Sequence, residues 1–343
     1  VFICDNVKKR VPGSSMYTVY TDDDGNTTGE DFKGENLITG TIKGVAENRT
    51  PTVYFLSGHG EKPLDSYTKF TTNLTNYNYA AKELNLSETD SVPDDAALVL
   101  VAAPSKDITD AEAEKLNAYL DNGGNISLLM SPNGGAFAYT NLEAIMKDYG
   151  FYMDYDRVSE TNSNYHISGD KYTIQCELNE LDDDSEATDL TSSLLNQGLY
   201  TFMPESRSFR YNDEGGKYTI APLITTYDSA EGEPYGGISD DPEKQSGQML
   251  LAADSTSIAR NDSKMVVFGN AEFIDDEHVS DDTVIVPVYL FLSTISWMYD
   301  SDIDMEISTK STTNDYISLQ DAGFAKGLMV VLTVIPVAIM AAG

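Results

Sequence analysis

Four short apolar runs, each closed by a turn, constrain the fold of this chain more than any other feature. They are TVYFLS (52–57), ALVLVAA (97–103), NISLLM (125–130) and KMVVF (264–268), and a glycine or a proline stands within two residues of the end of each run. Apolar runs of this length are typical of parallel strands that are covered on both faces. The runs therefore predict a buried, parallel sheet.

Helical patterns separate these strands. The best-marked helix spans 110–121, because Thr109 and Glu112 match a capping box, Asp110 places acid at the helix N-terminus, and Gly123 follows its end. Further elements are predicted as helices around 67–74, 142–149 and 288–298 and as a short strand at 79–84. This order predicts the α/β class, with a doubly wound, mainly parallel sheet of the flavodoxin or amidotransferase type.

The middle of the chain, residues 158–263, loses this rhythm. It is polar and acidic, with isolated strand-like pieces at 172–177, 218–220 and 248–252. We therefore predict a β-rich acidic insertion that interrupts the α/β domain. The expected organisation is a segment at 1–50 that ends an upstream β-containing region, the first part of the α/β domain at 51–157, the insertion at 158–263, the completion of the domain at 264–300, a juxtamembrane linker at 301–322 and a truncated transmembrane helix at 323–343.

Both ends of the chain suggest a piece of a longer protein. The chain begins in the apolar run VFIC, with no initiator Met and no signal peptide. Residues 327–343 carry no charge and follow Lys326, and a membrane-spanning helix needs about 20 apolar residues. We therefore predict a C-terminal membrane helix, with a buried core helix as the alternative. Because loops that stay in the cytoplasm are enriched in Lys and Arg, the acidic part of the chain that precedes this helix is expected outside the cytoplasm.

Charge and composition exclude several classes of function. The 56 Asp and Glu residues exceed the 22 Lys and Arg residues, and the formal net charge of −34 argues against nucleic acid as a partner. The sequence contains no P-loop pattern, so the chain is not expected to hydrolyse ATP. It has two cysteines, Cys4 and Cys176, and three well-separated histidines. We therefore predict no metal site, no cofactor and at most one disulfide.

The loops that follow the predicted strands are where a ligand would bind. In open parallel sheets, ligands bind beyond the carboxyl ends of the strands, so we expect these loops to meet at one edge and form a polar concavity. The predicted ligand-binding residues are His59, Glu61, Ser105, Asn133 and Glu272, and Gly58 and Gly60 are predicted to form a structural turn.

No catalytic residue is assigned. A hydrolase would use His59 as a general base oriented by Glu61 or Glu272. However, the sequence SGHG at 57–60 is not a nucleophile elbow, and no cysteine follows the strands, whereas amidotransferase-like relatives of this architecture use one. We favour an architectural role, in which the glycines supply a tight turn and His59 hydrogen-bonds neighbouring loops.

Several segments resemble one known family. These are FKGE (32–35) with Thr39 and Ile42, PTVYFLSGHGE (51–61), VPDDAALVLVAAPSKDITDAEAEKLNAYLDNGGNISLLMSP (92–132), MVVFGNAEFIDD (265–276) with Trp297, and the apolar C-terminal run. Together they resemble the extracytoplasmic region of the GldG family, which are auxiliary subunits of ABC-type transport systems first tied to gliding motility. The resemblance covers about 32–343 and is weakest in the insertion. One departure is Asn270, where the family's turn usually has Asp.

The resemblance implies a non-enzymatic role. The chain would be the extracytoplasmic domain of an accessory subunit of a bacterial ABC-type transport system, held in the cell membrane by its C-terminal helix. Its partners would be a permease subunit and an ATPase subunit on separate chains, and a small-molecule or glycan ligand would fit the strand-end concavity. Two alternatives stay open: a carbohydrate- or peptide-binding module, and a hydrolase that uses His59 and Glu61.

Overall fold

The computed structural model describes residues 1–5, 7–11, 13–21, 27–32, 34–46, 50–181, 187–195, 200–212, 216–237, 244–299 and 310–311. The chain folds into two compact units. The larger unit comprises Val1–Pro12 and Gly34–Ser308, and the smaller comprises Gly13–Lys33 and Thr309–Gly343.

The helices and strands are numbered in chain order. The described α-helices are α1 (Gly34–Ala46), α2 (Thr68–Asn76), α3 (Asp110–Asp121), α4 (Thr140–Lys147), α5 (Ser192–Leu195) and α6 (Ile285–Met298). The described strands are β1 (Phe2–Cys4), β2 (Val7–Lys9), β3 (Tyr17–Thr21), β4 (Thr27–Phe32), β5 (Thr52–Leu56), β6 (Ala80–Leu84), β7 (Ala96–Ala102), β8 (Ile126–Leu129), β9 (Phe151–Met153), β10 (Asp156–Glu160), β11 (His166–Ile167), β12 (Asp170–Leu178), β13 (Thr201–Met203), β14 (Phe209–Tyr211), β15 (Tyr218–Thr226), β16 (Ala230–Pro234), β17 (Gln245–Ser246), β18 (Leu250–Ser257), β19 (Ser263–Phe268) and β20 (Lys310–Ser311).

The smaller unit contains a three-stranded antiparallel sheet in the order β20-β4-β3. Tyr17 and Phe32 are directly paired in its β3–β4 ladder, and their ring centroids lie 5.4 Å apart. An aromatic pair across two strands is a common way to stabilise so short a sheet.

A mixed sheet organises the larger unit. Its strands lie in the order β11-β12-β15-β18-β19-β8-β7-β5-β6. The five strands from β19 to β6 are mutually parallel, whereas β18, β15, β12 and β11 pair antiparallel along the same path. The strands predicted at 52–57, 79–84, 97–103, 125–130 and 264–268 thus all lie in the parallel part.

Helices cover both faces of the parallel part, which confirms the predicted α/β class. On one face, Leu116 of α3 and Ile145 of α4 belong to the same apolar cluster as Leu128 of β8. On the other face, Phe70 of α2 stacks on Phe291 of α6, with ring centroids 5.6 Å apart. Since both faces are covered, β5, β7, β8 and β19 do not alternate apolar and exposed polar residues, and this explains the four apolar runs in the sequence.

The prediction of a mainly parallel sheet holds only for these five strands. The segment predicted as a β-rich insertion extends the same sheet through β12, β15 and β18. A connection of five residues joins β18 to β19, with Asn261 and Asp262 both at φ 57°. A parallel crossover needs a dozen residues or more, so this short connection forces an antiparallel pair and makes the sheet mixed. The flavodoxin or amidotransferase type stays a prediction.

Helix α6 is the apolar helix that the sequence predicts at 288–298, and it is buried against the sheet. Asn125 donates its side-chain N–H to the carbonyl of Met298 (2.9 Å), and Lys264 donates to that of Trp297 (2.8 Å). These donors satisfy carbonyls that the helix end leaves without partners. Within the described ranges, no helix is both long enough and apolar enough to cross a membrane. The predicted helix at 323–343 lies outside the described residues.

Candidate functional site

The carboxyl ends of β5, β7, β8 and β19 lie along one edge of the sheet and are joined there by hydrogen bonds. Ser105, which follows β7, donates its backbone N–H to the carbonyl of His59, which follows β5 (2.8 Å). Ala271, which follows β19, donates its N–H to the hydroxyl of Ser131, which follows β8 (3.0 Å). The four loops are therefore tied to their neighbours at the strand ends.

The turn after β5 has glycine at two positions with left-handed backbone. Gly58 has φ +111° and Gly60 has φ +88°, a region that residues with a Cβ rarely adopt. A Cβ at Gly60 would also overlap the hydroxyl of Ser105, whereas a Cβ at Gly58 would have ordinary contact with Asn85. The turn thus requires Gly60 for both backbone and space, and Gly58 for backbone alone.

His59 lies inside this turn, between two carboxylates. Its Nδ1 is 3.3 Å from Glu61 Oε1, and its Nε2 is 3.0 Å from Glu112 Oε2. Glu61 also accepts the backbone N–H of His59 (2.7 Å). Only 3% of His59 is exposed, and the two carboxylate side chains are as well covered.

This arrangement favours the charged form of His59. A carboxylate can only accept, so both ring nitrogens are satisfied together only when each carries a proton. The hydrogen bond with Glu61, opposed by burial and reinforced by Glu112, raises the pKa of His59. Burial by itself would raise the pKa of Glu112, but its hydrogen bonds with Thr109 and His59 lower that pKa overall.

The third member of this cluster, Glu112, is predicted from the sequence only as part of a helix cap. The capping box is present: Glu112 Oε2 accepts from the backbone N–H of Thr109 (2.9 Å) and from its hydroxyl (2.7 Å). The same oxygen faces His59. The capping pattern was readable from the sequence, but the contact with His59, 53 residues away, depends on the pairing of β5 with β7.

The His59 cluster is poorly suited to general-base catalysis. A general base needs a free lone pair within hydrogen-bond reach of the substrate. Both ring nitrogens of His59 are engaged with carboxylates, and the ring is almost fully covered. The geometry instead ties the β5 turn to the first turn of α3.

The other predicted site residues occupy separate positions on the same edge. Ser105 is exposed, and its hydroxyl donates to the carbonyl of His59 (3.1 Å). Asn133 accepts the N–H of Gly135 (2.9 Å) and so shapes its own loop. Glu272 is half-buried and follows β19. Burial by itself would lower the pKa of Lys62, but its hydrogen bond with Asp275 raises that pKa overall, and the negative charge of Glu272 adds to the increase.

Arg207, which is not among the residues predicted from the sequence, lies at the ends of β8 and β19. It is fully buried, although arginine is among the residues least often found without exposure. Its backbone N–H donates a hydrogen bond to the carbonyl of Gly269 (2.9 Å). One terminal nitrogen of its side chain, Nη2, donates to the carbonyl of Ser131 (3.0 Å). No pattern in the sequence around Arg207 indicates this position, because it results from the antiparallel extension of the sheet.

A group of possible metal ligands stands after β19. Ligand atoms of Asp275, Glu277 and His278 lie within 4.8 Å of one another. However, Asp275 already accepts from Lys62 Nζ (2.6 Å), from His278 Nδ1 (2.8 Å) and from the backbone N–H groups of both Glu277 and His278 (3.0 Å each). A cation here would have to displace an ammonium group, so this cluster does not fit a metal ion.

Comparison with known proteins decides the family. The family model described as ABC-type uncharacterized transport system, an auxiliary component, matches residues 50–293. The chain belongs to this family. The matched range runs from β5 into α6 and includes the strand-end edge with His59, Ser105, Asn133 and Arg207. Membership indicates an accessory role in ABC transport and an association with the membrane in general.

Two solved structures are similar to this chain. The structure titled "mmIFT52 N-terminal domain" has a TM-score of 0.53 and 17% sequence identity, over 73% of this chain and 99% of that chain, and the likeness concerns the fold alone. The exo-beta-1,4-mannosidase Op5Man5 from Opitutaceae bacterium strain TAV5 covers 82% of this chain and 40% of its own, with 10% identity and a TM-score of 0.35, too low for any inference. Among curated proteins, none matches the chain significantly.

Proposed function

We propose that this chain is the extracytoplasmic domain of a GldG-like, non-enzymatic accessory subunit of a bacterial ABC-type transport system. The observation that carries the proposal is the family match over residues 50–293, which includes most of the mixed sheet and its helices. The proposed partners are an ATPase subunit and a permease subunit of the same transport system.

The state of His59 supports a non-enzymatic role. The hydrolase alternative would use His59 and Glu61, but these two side chains are hydrogen-bonded to each other. The second ring nitrogen of His59 is hydrogen-bonded to Glu112. A substrate would have to break a buried ion pair before the ring could accept a proton. An architectural role needs no such rearrangement.

The extracytoplasmic, membrane-anchored location rests on charge and hydropathy. Loops that stay in the cytoplasm are enriched in Lys and Arg, whereas this chain has only 22 such residues among 343, and the uncharged run at 327–343 is the proposed anchor. Protease added to intact cells with a permeable outer envelope is expected to cleave within the acidic stretch 182–189. Cleavage only after the inner membrane is lysed would contradict this orientation.

Copurification from native membranes tests the transport role. The tagged full chain, extracted in mild detergent, is expected to retain one P-loop ATPase and one multispanning permease, identified by mass spectrometry. The matched control is the same tagged chain ending at residue 322, which separates membrane anchoring from partner contacts of the folded domain. Absence of both subunits from the full-chain sample would contradict the proposal.

A further inference from the structure

The guanidinium group of Arg207 is buried without the partners that such a group requires. It carries five N–H donors, and Nη2 uses one of them on Ser131. Among the described residues, Nε and Nη1 have no hydrogen-bond acceptor. Burial lowers the pKa of Arg207, because the charged form has lost its hydration. A buried charge is normally paired, so these two nitrogens indicate a missing acceptor.

The acidic side chains that interact electrostatically with Arg207 form their hydrogen bonds with other residues. Asp156 and Glu143 both act electrostatically on Arg207, but neither accepts a hydrogen bond from its Nε or Nη1 in the described structure. Asp156 accepts the backbone N–H of Ser208 (2.9 Å) and its hydroxyl (2.7 Å). Glu143 accepts the hydroxyl of Tyr155. These carboxylates therefore act on Arg207 only at a distance and leave its Nε and Nη1 without an acceptor.

Two stacked tyrosine rings lie beside the guanidinium. Its Cζ lies 5.7 Å from the ring centroid of Tyr139 and 5.5 Å from that of Tyr155, and the two rings are nearly parallel, with an angle of 14° between them. Cation–π contact holds the guanidinium in position. One carboxylate binds a guanidinium bidentately through Nε and Nη2 or through Nη1 and Nη2. Nη2 keeps a second N–H beside the one that it donates to Ser131, so it can complete either pair.

A cover of two glycine pairs lies over this part of the edge. Gly237 donates its N–H to the carbonyl of Gly135 (3.0 Å), which joins the loop after β8 to the loop after β16. A Cβ at Gly236 would overlap the carbonyl of Asn133, and a Cβ at Gly237 would press on the ring of Tyr155. The two loops therefore pack closely against each other and against Tyr155 only because Gly236 and Gly237 have no Cβ.

We propose that Arg207 anchors a binding site for a small organic carboxylate at the ends of β8 and β19. A carboxylate is planar like the guanidinium and brings a single negative charge, so it meets less repulsion from Glu143 and Asp156 than a phosphate dianion would. The position agrees with the general rule that ligands bind beyond the carboxyl ends of parallel strands. The site extends beyond the proposed transport role and does not depend on it.

Ligand-dependent stability of the full chain tests this site. The probes are sodium formate, acetate, propionate, succinate and glutarate, with sodium phosphate as the competing anion and sodium chloride at matched ionic strength as the baseline. At least one carboxylate is expected to raise the melting temperature of the wild type by about 2–4 °C or more at saturating concentration. Arg207→Lys keeps the charge but loses the bidentate geometry, and is expected to weaken the apparent affinity at least tenfold.

The matched control is Arg210→Met, which removes a charge from an exposed arginine in the same segment and is expected to bind as the wild type does. An isotope-labelled wild-type sample provides a readout that needs no variant to fold: the carboxylate that stabilises the chain should shift the Arg207 Nε–H signal. An unchanged apparent carboxylate affinity in Arg207→Lys, a response to phosphate alone, or the absence of any response above chloride would each overturn the proposal.

Discussion

At the scale of single residues, the strand-end edge separates two kinds of buried cation. His59 is enclosed by two carboxylates of its own chain, so its charge is balanced internally. Arg207 is equally buried but has acceptors for only part of its guanidinium group. The first arrangement holds loops together, and the second is suited to a ligand. The sequence indicated His59 through its glycine-flanked turn, whereas nothing local indicated Arg207.

The pairing of His59 predicts a specific pH dependence of stability. In the folded protein the pKa of His59 is raised above the value of about 6.5 of an unfolded histidine. The ion pairs of His59 with Glu61 and Glu112 therefore stabilise the fold fully below about pH 6.5, and this stabilisation is lost as the pH rises through the pKa of the folded state. In urea titrations from pH 5.5 to 9, His59→Gln should lack this decline. Near pH 6 it should lower the free energy of unfolding by about 3–5 kcal/mol, because buried carboxylates lose their cation.

His166→Gln is the control for this measurement. His166 lies on β11, the last strand at the antiparallel end of the sheet, far from the His59 turn. Its Nδ1 contacts a backbone carbonyl rather than a carboxylate. It should keep the wild-type pH profile. The proposed ion pair would be contradicted by a His59→Gln profile parallel to that of the wild type.

At the scale of elements, the sequence predicted those whose signals are local. Helix α3 has the predicted bounds, 110–121, because a capping box and a glycine pair mark its two ends. The extension of the sheet by β12, β15 and β18 was not predicted, because strand pairing across many residues leaves no periodic signal. Helix α1 was also missed, since three glycines in its 13 residues lower its helix propensity.

Gly40 explains why α1 tolerates so poor a propensity. A Cβ at Gly40 would overlap the backbone carbonyl of Asn76 at the end of α2, so the glycine permits close packing of the two helices. Gly40→Ala should destabilise this packing by about 1–3 kcal/mol, more than the gain of about 1 kcal/mol in helix propensity. Amide hydrogen exchange of residues 34–46 should therefore accelerate.

Ile42→Ala is the control within the same helix, because Ile42 is half exposed and its truncation should leave the exchange of α1 nearly unchanged. The two effects of Gly40→Ala have opposite signs, which makes the experiment decisive. Slower exchange in Gly40→Ala would mean that propensity outweighs packing and that α1 does not pack closely on α2.

At the scale of the whole molecule, the mixed sheet makes one structural unit of two segments that differ in sequence character. The acidic middle segment contributes β12, β15 and β18, and the apolar segments contribute the parallel strands beside them. Helix α6 also links the two, because the indole N–H of Trp297 donates to the hydroxyl of Thr188 (3.1 Å). The larger unit should therefore unfold as one cooperative body rather than losing the middle segment first.

Leu223→Ala tests this cooperativity from within the middle segment. Leu223 is buried in β15, in the same apolar cluster as α6, and its truncation should cost about 2–5 kcal/mol. In guanidinium chloride titrations, Trp297 is the only tryptophan and reports on α6, while far-UV circular dichroism reports on all elements. Because β15 reaches β19 through β18, both midpoints should fall together, and Ile258→Ala, at an exposed position, should move neither. A Leu223→Ala protein whose Trp297 midpoint stays at the wild-type value would show that the middle segment unfolds independently of the parallel sheet.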